Sequence, residues 1–439
     1  MRIKIVTCHP SRKSCSAYHA KHIVSHTSAA NGTRDARCAA QRVQCKEYRA
    51  KYAVNPRLAA KTISERQKEG NIHMKPIYVT RSSMPPLDEY VGEIRDLWDS
   101  RVLTNSGVKY QELAKRLEEY LGVGNISMFC NGHMGLEIAF EALGLDHGEA
   151  ITTPFTFAST TQAIIRAGMT PVFADVKPED FTLDPAKIEA LITERTVAIV
   201  PVHVYGQICD YRAIEEIAKR HHLRVVYDAA HAFGVTVDGR GAGTLGDVSM
   251  FSFHATKVFH TIEGGALTYA DPALTPVINA WRNFGLTGPE TAEYVGGNAK
   301  MTEFSAAMGL CNLRHVDEEI AKRGRADARY RERLSGVRGI YFPAIKENVK
   351  PNYAYFPVVF DGYRYHRDEI AEKLKAENIF ARKYFYPLTS QFDCHRGKPY
   401  YGAETTPVAR HASENVLTLP MFADLSPEDV DRIADIILG

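Results

Sequence analysis

The sequence predicts an α/β fold in which a large domain has a mostly parallel sheet with helices on both faces, followed by a smaller α+β domain. Three observations indicate this class. Short apolar runs alternate with helical segments beyond residue 74, which is typical of parallel sheets. A long, charged, amphipathic stretch at residues 302–334 is expected to be one helix leading out of the large domain. The chain ends in a further helix that starts at Ser426, with proline and two acidic residues in its first turn.

Seven apolar runs are the predicted strands of the large domain, and helical segments separate them. The strand-like runs are residues 126–130, 150–153, 171–176, 197–204, 224–227, 248–253 and 266–269. The helical segments include residues 135–143, 185–192 and 211–221. Because the first strand-helix junction lacks a GxGxxG motif, a dinucleotide-binding fold is not favoured. We expect a large domain at 74–335, which includes the linking helix, and a small domain at 336–439.

Length and composition are those of an ordinary soluble globular protein. The 439 residues are 45% hydrophobic and 24% charged, and the chain is long enough for two domains with substantial cores. No apolar run is long enough to span a bilayer, so no membrane insertion is expected.

Residues 1–73 differ from the rest of the chain. They carry 15 Lys and Arg against 4 Asp and Glu, and they show no sustained helix or strand period before about residue 55. An organelle transit peptide, an arm for nucleic acid or a membrane surface, and a disordered extension or upstream region translated from an early start site all remain open. We expect the extension or upstream region, and no nucleic-acid partner.

The eight cysteines predict neither a metal site nor a disulfide framework. Four lie in the N-terminal stretch as two pairs whose members are separated by six residues, unlike the short spacing of zinc ligands. The other four are scattered through the chain, which is typical of reduced thiols in a cytoplasm. These are Cys130, Cys209, Cys311 and Cys394. We therefore expect a cytoplasmic protein without a bound metal.

The segment 224–271 carries the chemistry of the chain. Asp228 directly follows a short apolar strand, and Lys257 lies just past the end of the next one. Pyridoxal phosphate (PLP) needs a lysine for a Schiff base, an acid to keep its pyridine nitrogen protonated, and donors for its phosphate. Gly264 and Gly265 then let backbone approach a ligand closely. The constellation predicts a PLP site at the carboxyl edge of the sheet.

Several ordered motifs from about Met74 to the C-terminus resemble the DegT/StrS nucleotide-sugar aminotransferases. They are CNGHMGLE at 130–137, TTPFTFAST at 152–160, PVHVYGQ at 201–207, DAAHAFG at 228–234, FSFHATK at 251–257 with EGGA behind it, and GGNAKMTEFSAAMGL at 296–310. The resemblance implies a fold-type I PLP-dependent transferase.

The resemblance assigns four residues to the reactive end of the cofactor. Lys257 would form the Schiff base, and Asp228 would pair with the pyridine nitrogen, where a carboxylate favours the charged ring. His231 would lie near the ring hydroxyl. Phe157 would stack on the ring face.

Four further residues are implied in phosphate binding. Ser252 and the backbone amides around His133 and Met134 would hold the phosphate, the amides at the start of a helix at 135–143. Asn298 resembles the family asparagine that reaches the phosphate from the neighbouring subunit, so the resemblance implies a homodimer with shared active sites.

The sequence departs from the family at two positions. His133 stands where a small or hydroxyl residue is usual, so only its backbone contact carries over. Lys300 stands where arginine is frequent, and it supplies charge without a bidentate fork.

Each of these side chains also has an ordinary structural interpretation when it is taken alone. Lys257 would then be a surface lysine, and Asp228 would cap a helix. His231 and Phe157 would be ordinary core side chains. Ser252 would form a local hydrogen bond, and Asn298 would lie in a turn.

The function implied by the resemblance is transfer of an amino group from an amino acid, usually L-glutamate, to a nucleotide-linked keto-sugar. The segment SFHATKVFHTIEGGAL, together with NAKM, is most similar to members that act on 4-keto-6-deoxyhexoses, such as dTDP-4-amino-4,6-dideoxyglucose aminotransferases. The loop 103–107 and the segment 382–387 are candidate substrate contacts. The sequence leaves the sugar, the amino position and the nucleotide open.

Two alternatives share the fold. Sugar dehydratases in the family have histidine at the lysine position, whereas this chain has Lys257. A non-catalytic regulatory relative would have lost the acid or the lysine, and both remain.

Overall fold

A seven-stranded sheet organises the computed structural model, which describes residues 75–439. The expectations about residues 1–73, including the basic stretch and its cysteines, lie outside the described residues. Residues 75–439 belong to one compact unit, so the division at residue 335 stays a prediction.

The described residues contain strands close to the seven predicted runs and ten further strands. They are β1 Ile77–Tyr78, β2 Ile126–Phe129, β3 Glu149–Thr152, β4 Thr170–Phe173, β5 Thr196–Val200, β6 Arg224–Asp228, β7 Thr236–Val237, β8 Arg240–Gly241, β9 Val248–Ser252, β10 Gly265–Tyr269, β11 Leu286–Gly288, β12 Thr291–Ala292, β13 Ile340–Tyr341, β14 Val349–Lys350, β15 Phe356–Phe360, β16 Ile379–Phe380 and β17 Val416–Leu419. The large sheet has the order β2-β10-β9-β6-β5-β3-β4. Only β10 runs antiparallel to its neighbours there, so the expected mostly parallel sheet is confirmed.

The described residues form eleven α-helices. They are α1 Leu87–Ile94, α2 Leu97–Ser100, α3 Val108–Leu121, α4 Gly132–Ala142, α5 Ala158–Arg166, α6 Tyr211–His221, α7 Leu274–Trp281, α8 Glu303–Leu334, α9 Arg367–Ala376, α10 Pro407–Asn415 and α11 Pro427–Leu438. In the part of the chain that the structure describes, no helix has the length and apolarity to cross a membrane.

The expected helix at 185–192 is wrong as an α-helix. The segment forms two 3₁₀ turns, Pro185–Lys187 and Glu189–Leu191. The stretch is short, and it closes on i to i+3 hydrogen bonds, such as that from the Ile188 amide to the Pro185 carbonyl at 3.1 Å.

Two other predicted boundaries move. The strand expected at 197–204 ends at Val200, because Pro201 has no N–H for a sheet ladder. The helix expected to start at Gly135 begins at Gly132 instead, where the Asn131 side chain accepts the Met134 amide at 2.9 Å as an N-cap.

The buried carboxylate of Glu303 fixes the start of α3. Its two oxygens accept the amides of Lys109 at 2.7 Å and Tyr110 at 3.3 Å, and the Glu303 amide donates to the Leu103 carbonyl at 2.9 Å. A Cβ on Gly107 would lie 2.7 Å from the Glu303 carboxyl carbon. The loop 103–107 is therefore held against the first turn of the long helix α8.

The C-terminal part has its own small sheet and core. Strands β13, β15 and β17 form a three-stranded sheet. Fully buried side chains from β15, β17, α9 and α11 pack with Tyr330 and Leu334 of α8. Helix α8 thus contributes to the core of the seven-stranded sheet at its start and to the C-terminal core at its end.

Helix α4 approaches the sheet so closely that two glycines face each other. A Cβ built on Gly265 would lie 2.5 Å from the Gly132 nitrogen and 2.6 Å from its Cα. We expect Gly265→Ala to lower the free energy of unfolding by about 2 kcal/mol, because the backbone of α4 must shift to make room. Urea unfolding followed by circular dichroism measures the change.

The matched control is Gly92→Ala in α1, where an added Cβ meets nothing within 4 Å. This substitution should leave stability unchanged or raise it by about 0.5–1 kcal/mol, since alanine loses less backbone entropy in a helix. Equal stability of Gly265→Ala and wild type would show that the close approach does not constrain the fold.

Candidate active site

The carboxyl ends of β6 and β9 meet at one edge of the sheet. Asp228 is the last residue of β6, and it lies in register with Met250 of β9. Ser252 ends β9 and faces Gly265 across the β9–β10 ladder. Lys257 lies in the connection between those two strands. The structure therefore brings the predicted acid, serine and lysine to one edge, as expected for an open α/β sheet.

Asp228 is a buried carboxylate with both oxygens bonded. Its side chain is 4% exposed. One oxygen accepts the Thr160 hydroxyl at 2.6 Å, and the other accepts the Ala230 amide at 3.0 Å. Burial raises the pKa of Asp228, while the bonds from Thr160 and Ala230 and the charge of Lys257 act in the opposite direction.

Thr160 is a site residue that the sequence reasoning missed. It lies in the first turn of α5, and its hydroxyl also lies 2.9 Å from that of Thr156. Threonine in a first turn usually bonds its own backbone, so its type gave no signal of a contact with a strand 68 residues later. The sequence feature that could have identified Thr160 is its position at the start of the helix after β3. The carboxyl end of β3 lies at the same edge of the sheet as the carboxyl end of β6.

His231 is buried and neutral. The Tyr205 amide donates to its Nδ1 at 3.0 Å, which assigns the proton to Nε2. Burial lowers the pKa of His231 well below the ordinary value, and the nearby Lys257 charge lowers it further. Its ring lies 4.7 Å from the Tyr355 ring and stacks on Phe385 at 6.2 Å between centroids. The imidazole is thus a fixed hydrogen-bond donor.

Lys257 has an amine prepared for nucleophilic attack. The residue is half-buried, and its Nζ lies 5.8 Å from the centroid of the Tyr355 ring. Burial lowers the pKa of Lys257 to about 8, although the charges of Asp228 and Tyr384 raise it. A lysine with that pKa has far more free amine at neutral pH than an ordinary one. Tyr355 is a second neighbour that the sequence reasoning did not single out.

Backbone forms a cradle beside Ser252. A Cβ on Gly132 would lie 2.7 Å from the Met250 sulfur and 3.3 Å from the Ser252 Cα and Cβ. With Gly265 opposite, glycine at both positions lets the first turn of α4 lie directly on the sheet edge. The start of a helix beside a serine hydroxyl is a favourable place for a phosphate.

The His133 side chain points to neighbours within the protein. Its Nδ1 lies 2.9 Å from the Ser159 hydroxyl, and its Nε2 lies 3.0 Å from a carboxylate oxygen of Glu137. The Met134 amide is bonded to the Asn131 side chain. In this structure the first turn therefore keeps the His133 side chain and the Met134 amide in protein contacts.

Two predicted residues lie at the surface of the chain. Phe157 precedes α5 and is 60% exposed. Asn298 is exposed, on a segment tied down by the bond from the Cys130 amide to the Ala299 carbonyl at 2.8 Å. Lys300 donates to the Asn283 side chain at 2.6 Å and lies 4.8 Å from the centroid of the Phe284 ring.

The residues at this edge fit PLP. A buried, hydrogen-bonded carboxylate suits a protonated pyridine nitrogen, and a half-buried lysine with a lowered pKa suits an aldehyde. Gly132 and Gly265 let the start of α4 lie directly beside Ser252, and a helix start next to a hydroxyl suits a phosphate. The three features lie on one continuous edge.

Comparison with known proteins gives the same assignment. The model of the DegT/DnrJ/EryC1/StrS aminotransferase family matches residues 87–438. A dTDP-4-amino-4,6-dideoxy-D-glucose transaminase of Shigella dysenteriae is 41% identical over 83% of this chain and 98% of its own. A GDP-perosamine synthase of Caulobacter vibrioides is 34% identical over 77% of this chain and 92% of its own.

A solved structure shares the fold closely. The crystal structure of DesI in the presence of its TDP-sugar product superposes with a TM-score of 0.79 at 37% identity, covering 83% of this chain and 92% of the other. The resemblance and the fold class expected from the sequence are thereby confirmed, as is the PLP cofactor. The chain belongs to the DegT/DnrJ/EryC1/StrS family of PLP-dependent aminotransferases.

Proposed function

We propose that the enzyme moves an amino group from L-glutamate to a nucleotide-linked keto-sugar, a dTDP-4-keto-6-deoxyhexose. The observation that carries the chemistry is the half-buried Lys257 amine, with its lowered pKa, at the same sheet edge as the buried Asp228 carboxylate. The substrate class is supported by relatives named dTDP-4-amino-4,6-dideoxy-D-glucose transaminase at 41% and 39% identity.

PLP supplies an aldehyde that accepts amines and a ring that withdraws electrons. With PLP bound, Lys257 would hold the cofactor through its amine. Once freed by the amino donor, the same amine would accept the proton that leaves the donor's α-carbon, and in the second half-reaction it would return a proton to the carbon of the sugar that receives the amine. Asp228 keeps the pyridine nitrogen protonated. His231 donates from Nε2 to the ring hydroxyl.

The remaining predicted contacts complete the cofactor site. Phe157 covers a ring face, and Ser252 binds the phosphate beside the glycine cradle. Backbone amides at His133 and Met134 contribute to phosphate binding once the Met134 amide exchanges its Asn131 partner for the anion. We expect this exchange because the Asn131 side chain is a neutral acceptor, whereas a phosphate at a helix start accepts stronger, charge-assisted hydrogen bonds.

A homodimer completes the site through the partner subunit's Asn298. The exposure of Asn298 and its anchored backbone support this role, because a residue fixed at the surface can reach a neighbouring copy. A dimer interface could also bury apolar side chains that are exposed in the single chain. They are Trp98, Val102, Leu103, Val108, Phe157 and Phe284.

The sugar nucleotide is proposed to contact the loop 103–107 and the segment 382–387. The loop is pinned by Glu303 and by a 3.3 Å bond from Arg282 to the Ser106 hydroxyl. Tyr384, in the second segment, is close enough to Lys257 for its charge to act on the lysine pKa. A loop fixed by two side chains and a segment that carries Tyr384 support this proposal, because held groups can orient a sugar.

We also propose a cytoplasmic enzyme. The four cysteines of the described residues are free thiols, as expected in a reducing compartment. Cell fractionation with an antibody would test this localisation.

The first prediction concerns the visible absorbance of the purified protein loaded with PLP. L-glutamate should remove the band of the lysine-bound cofactor, and a dTDP-4-keto-6-deoxyhexose should restore it. Other keto-sugar nucleotides, tested in the same way, should restore the absorbance band more slowly. Light scattering of the same preparation should give twice the chain mass of 49.0 kDa.

The control for this experiment is Lys257→Ala, which should show neither the band nor turnover. A band that responds to no amino donor would refute amino transfer. If a different sugar nucleotide restored the band faster, that sugar nucleotide would be the substrate instead of the proposed one.

The second prediction concerns the pH dependence of PLP uptake by the apoprotein. Only the unprotonated Lys257 amine attacks the aldehyde, and its pKa is about 8. The uptake rate should therefore rise with pH and reach half its plateau near pH 8, about two units below an ordinary lysine. A rate that still rises tenfold per unit above pH 9 would contradict the lowered pKa.

The third prediction concerns Thr160→Val, which keeps the shape of the side chain but removes the 2.6 Å bond to Asp228. Burial would then raise the pKa of Asp228 further and weaken its charge opposite the pyridine nitrogen. We expect PLP affinity to fall about 10- to 100-fold, from the loss of one bond to a charged group.

Thr160→Ser is the matched control for that measurement, because it retains the hydroxyl. Its PLP affinity should stay within about threefold of wild type in an absorbance titration. Equal affinities for the valine and serine variants would show that Thr160 does not position Asp228.

A further inference from the structure

Tyr205 is a buried residue with an unusual backbone conformation. It lies in the PVHVYGQ motif that follows β5, and its φ of 57° and ψ of 9° fall in the left-handed region. Its side chain is 4% exposed. Bulky residues rarely adopt this conformation, and strain of this kind persists where the surrounding contacts require it. Tyr205 makes such contacts with both its backbone and its side chain.

The backbone of this motif is fixed to the cofactor end of the site. The Tyr205 amide donates to His231 Nδ1 at 3.0 Å. Nearer to β5, the Asp228 amide donates to the Pro201 carbonyl and the His203 amide donates to the Asp228 carbonyl, both at 2.9 Å. The motif thus continues β5 along the end of β6, and the left-handed turn brings the Tyr205 amide to the imidazole.

The side chain of Tyr205 reaches the segment 382–387. Its phenol donates to the Tyr384 carbonyl. Its ring lies nearly parallel to that of Phe385, with 6.0 Å between centroids, and the Phe385 ring stacks on His231 at 6.2 Å. One residue thus bonds His231 through its amide and the segment through its hydroxyl.

The segment 382–387 passes close to the reacting amine. The Tyr384 ring lies 5.9 Å from the Tyr355 ring, and Lys257 Nζ lies 5.8 Å from the centroid of the same Tyr355 ring. Tyr384 is half-buried, whereas Tyr386 is 51% exposed. The segment therefore lies near the amine and also offers side-chain surface that a ligand can contact.

Tyr205 holds the segment on the cofactor side, while other contacts hold it on the C-terminal side. Arg382 exchanges two backbone hydrogen bonds with Thr418 of β17, at 3.0 and 2.8 Å. The Lys383 amine pairs with the Asp368 carboxylate of α9 at 2.7 Å. Loss of the Tyr205 hydroxyl would leave these contacts in place, so the segment would stay attached but would be held less tightly beside the cofactor.

We propose that Tyr205 is a positioning residue for the acceptor sugar, because its phenol holds the segment 382–387 at the distance from the cofactor ring that the keto-sugar nucleotide needs. The inference rests on the proposed function, in which this segment contacts the sugar nucleotide, and extends it. A segment that is already ordered binds its ligand more tightly, since binding does not have to order it. The amino donor does not use this contact, so the two substrates should respond differently to its loss.

The test compares Tyr205→Phe with wild-type holoenzyme in the two half-reactions. Phenylalanine keeps the ring and the backbone amide but lacks the hydroxyl. The apparent Kd for the dTDP-4-keto-6-deoxyhexose, read from recovery of the cofactor band, should rise about 5- to 10-fold, as expected for one lost hydrogen bond. The apparent Kd for L-glutamate, read from loss of the band, and the affinity for PLP should stay within about twofold, because the hydrogen bond from the Tyr205 amide to His231 remains.

Tyr330→Phe is the matched control. The Tyr330 phenol is also buried and donates to the Pro420 carbonyl at 3.0 Å, and its ring stacks on Phe356 at 4.7 Å, but it lies in the C-terminal core. This variant should lose similar stability and leave both half-reactions within about twofold. The proposal fails if Tyr205→Phe weakens L-glutamate as much as the sugar nucleotide, if it changes neither, or if Tyr330→Phe produces the same selective effect.

Amide hydrogen exchange gives a measurement that does not depend on turnover. The Tyr386 amide, which donates to the Lys383 carbonyl at 2.8 Å, should exchange about 5- to 10-fold faster in the Tyr205→Phe holoenzyme. In wild-type holoenzyme without an amino donor, the keto-sugar nucleotide binds without reacting and should slow this exchange, whereas glutarate, an unreactive analogue of the donor, should not. Equal exchange in the variant and the wild type, or an equal effect of the two ligands, would overturn the proposal. Failure of wild type to react with any amino donor would instead refute the proposed function.

Discussion

The site depends on a carboxylate held away from water at the end of β6. Burial disfavours the charge of Asp228, so the surroundings must compensate for it. One oxygen takes a hydroxyl from α5, the other takes a backbone amide two residues on, and the Lys257 charge lies nearby. The arrangement links three parts of the chain, and each is held in place by the same sheet edge.

Close backbone approach is the second condition for this site. Gly132 and Gly265 let α4 start directly against the first residue of β10, beside Ser252. A side chain at either position would push the helix from the strands. The phosphate end and the ring end of the proposed cofactor site are therefore set by different physics: the first by sterics and backbone dipoles, the second by buried charge.

Helix α8 joins these features to the rest of the protein. Its first residue, Glu303, pins the loop 103–107 and the start of α3. Its last turns pack into the C-terminal core. One helix thus connects the loop proposed for the sugar with the small C-terminal sheet and its core.

The sequence by itself determined the seven strands, the family and the order of Asp228, Ser252 and Lys257, because hydrophobic period and short motifs are local properties. It failed at residues 185–192 and beyond Val200, where a short segment and a proline override the pattern. Only the tertiary structure decided that Thr160 bonds Asp228 and that Tyr355 lies beside Lys257. These contacts join residues far apart in the chain, and their energies depend on burial, which no local pattern encodes.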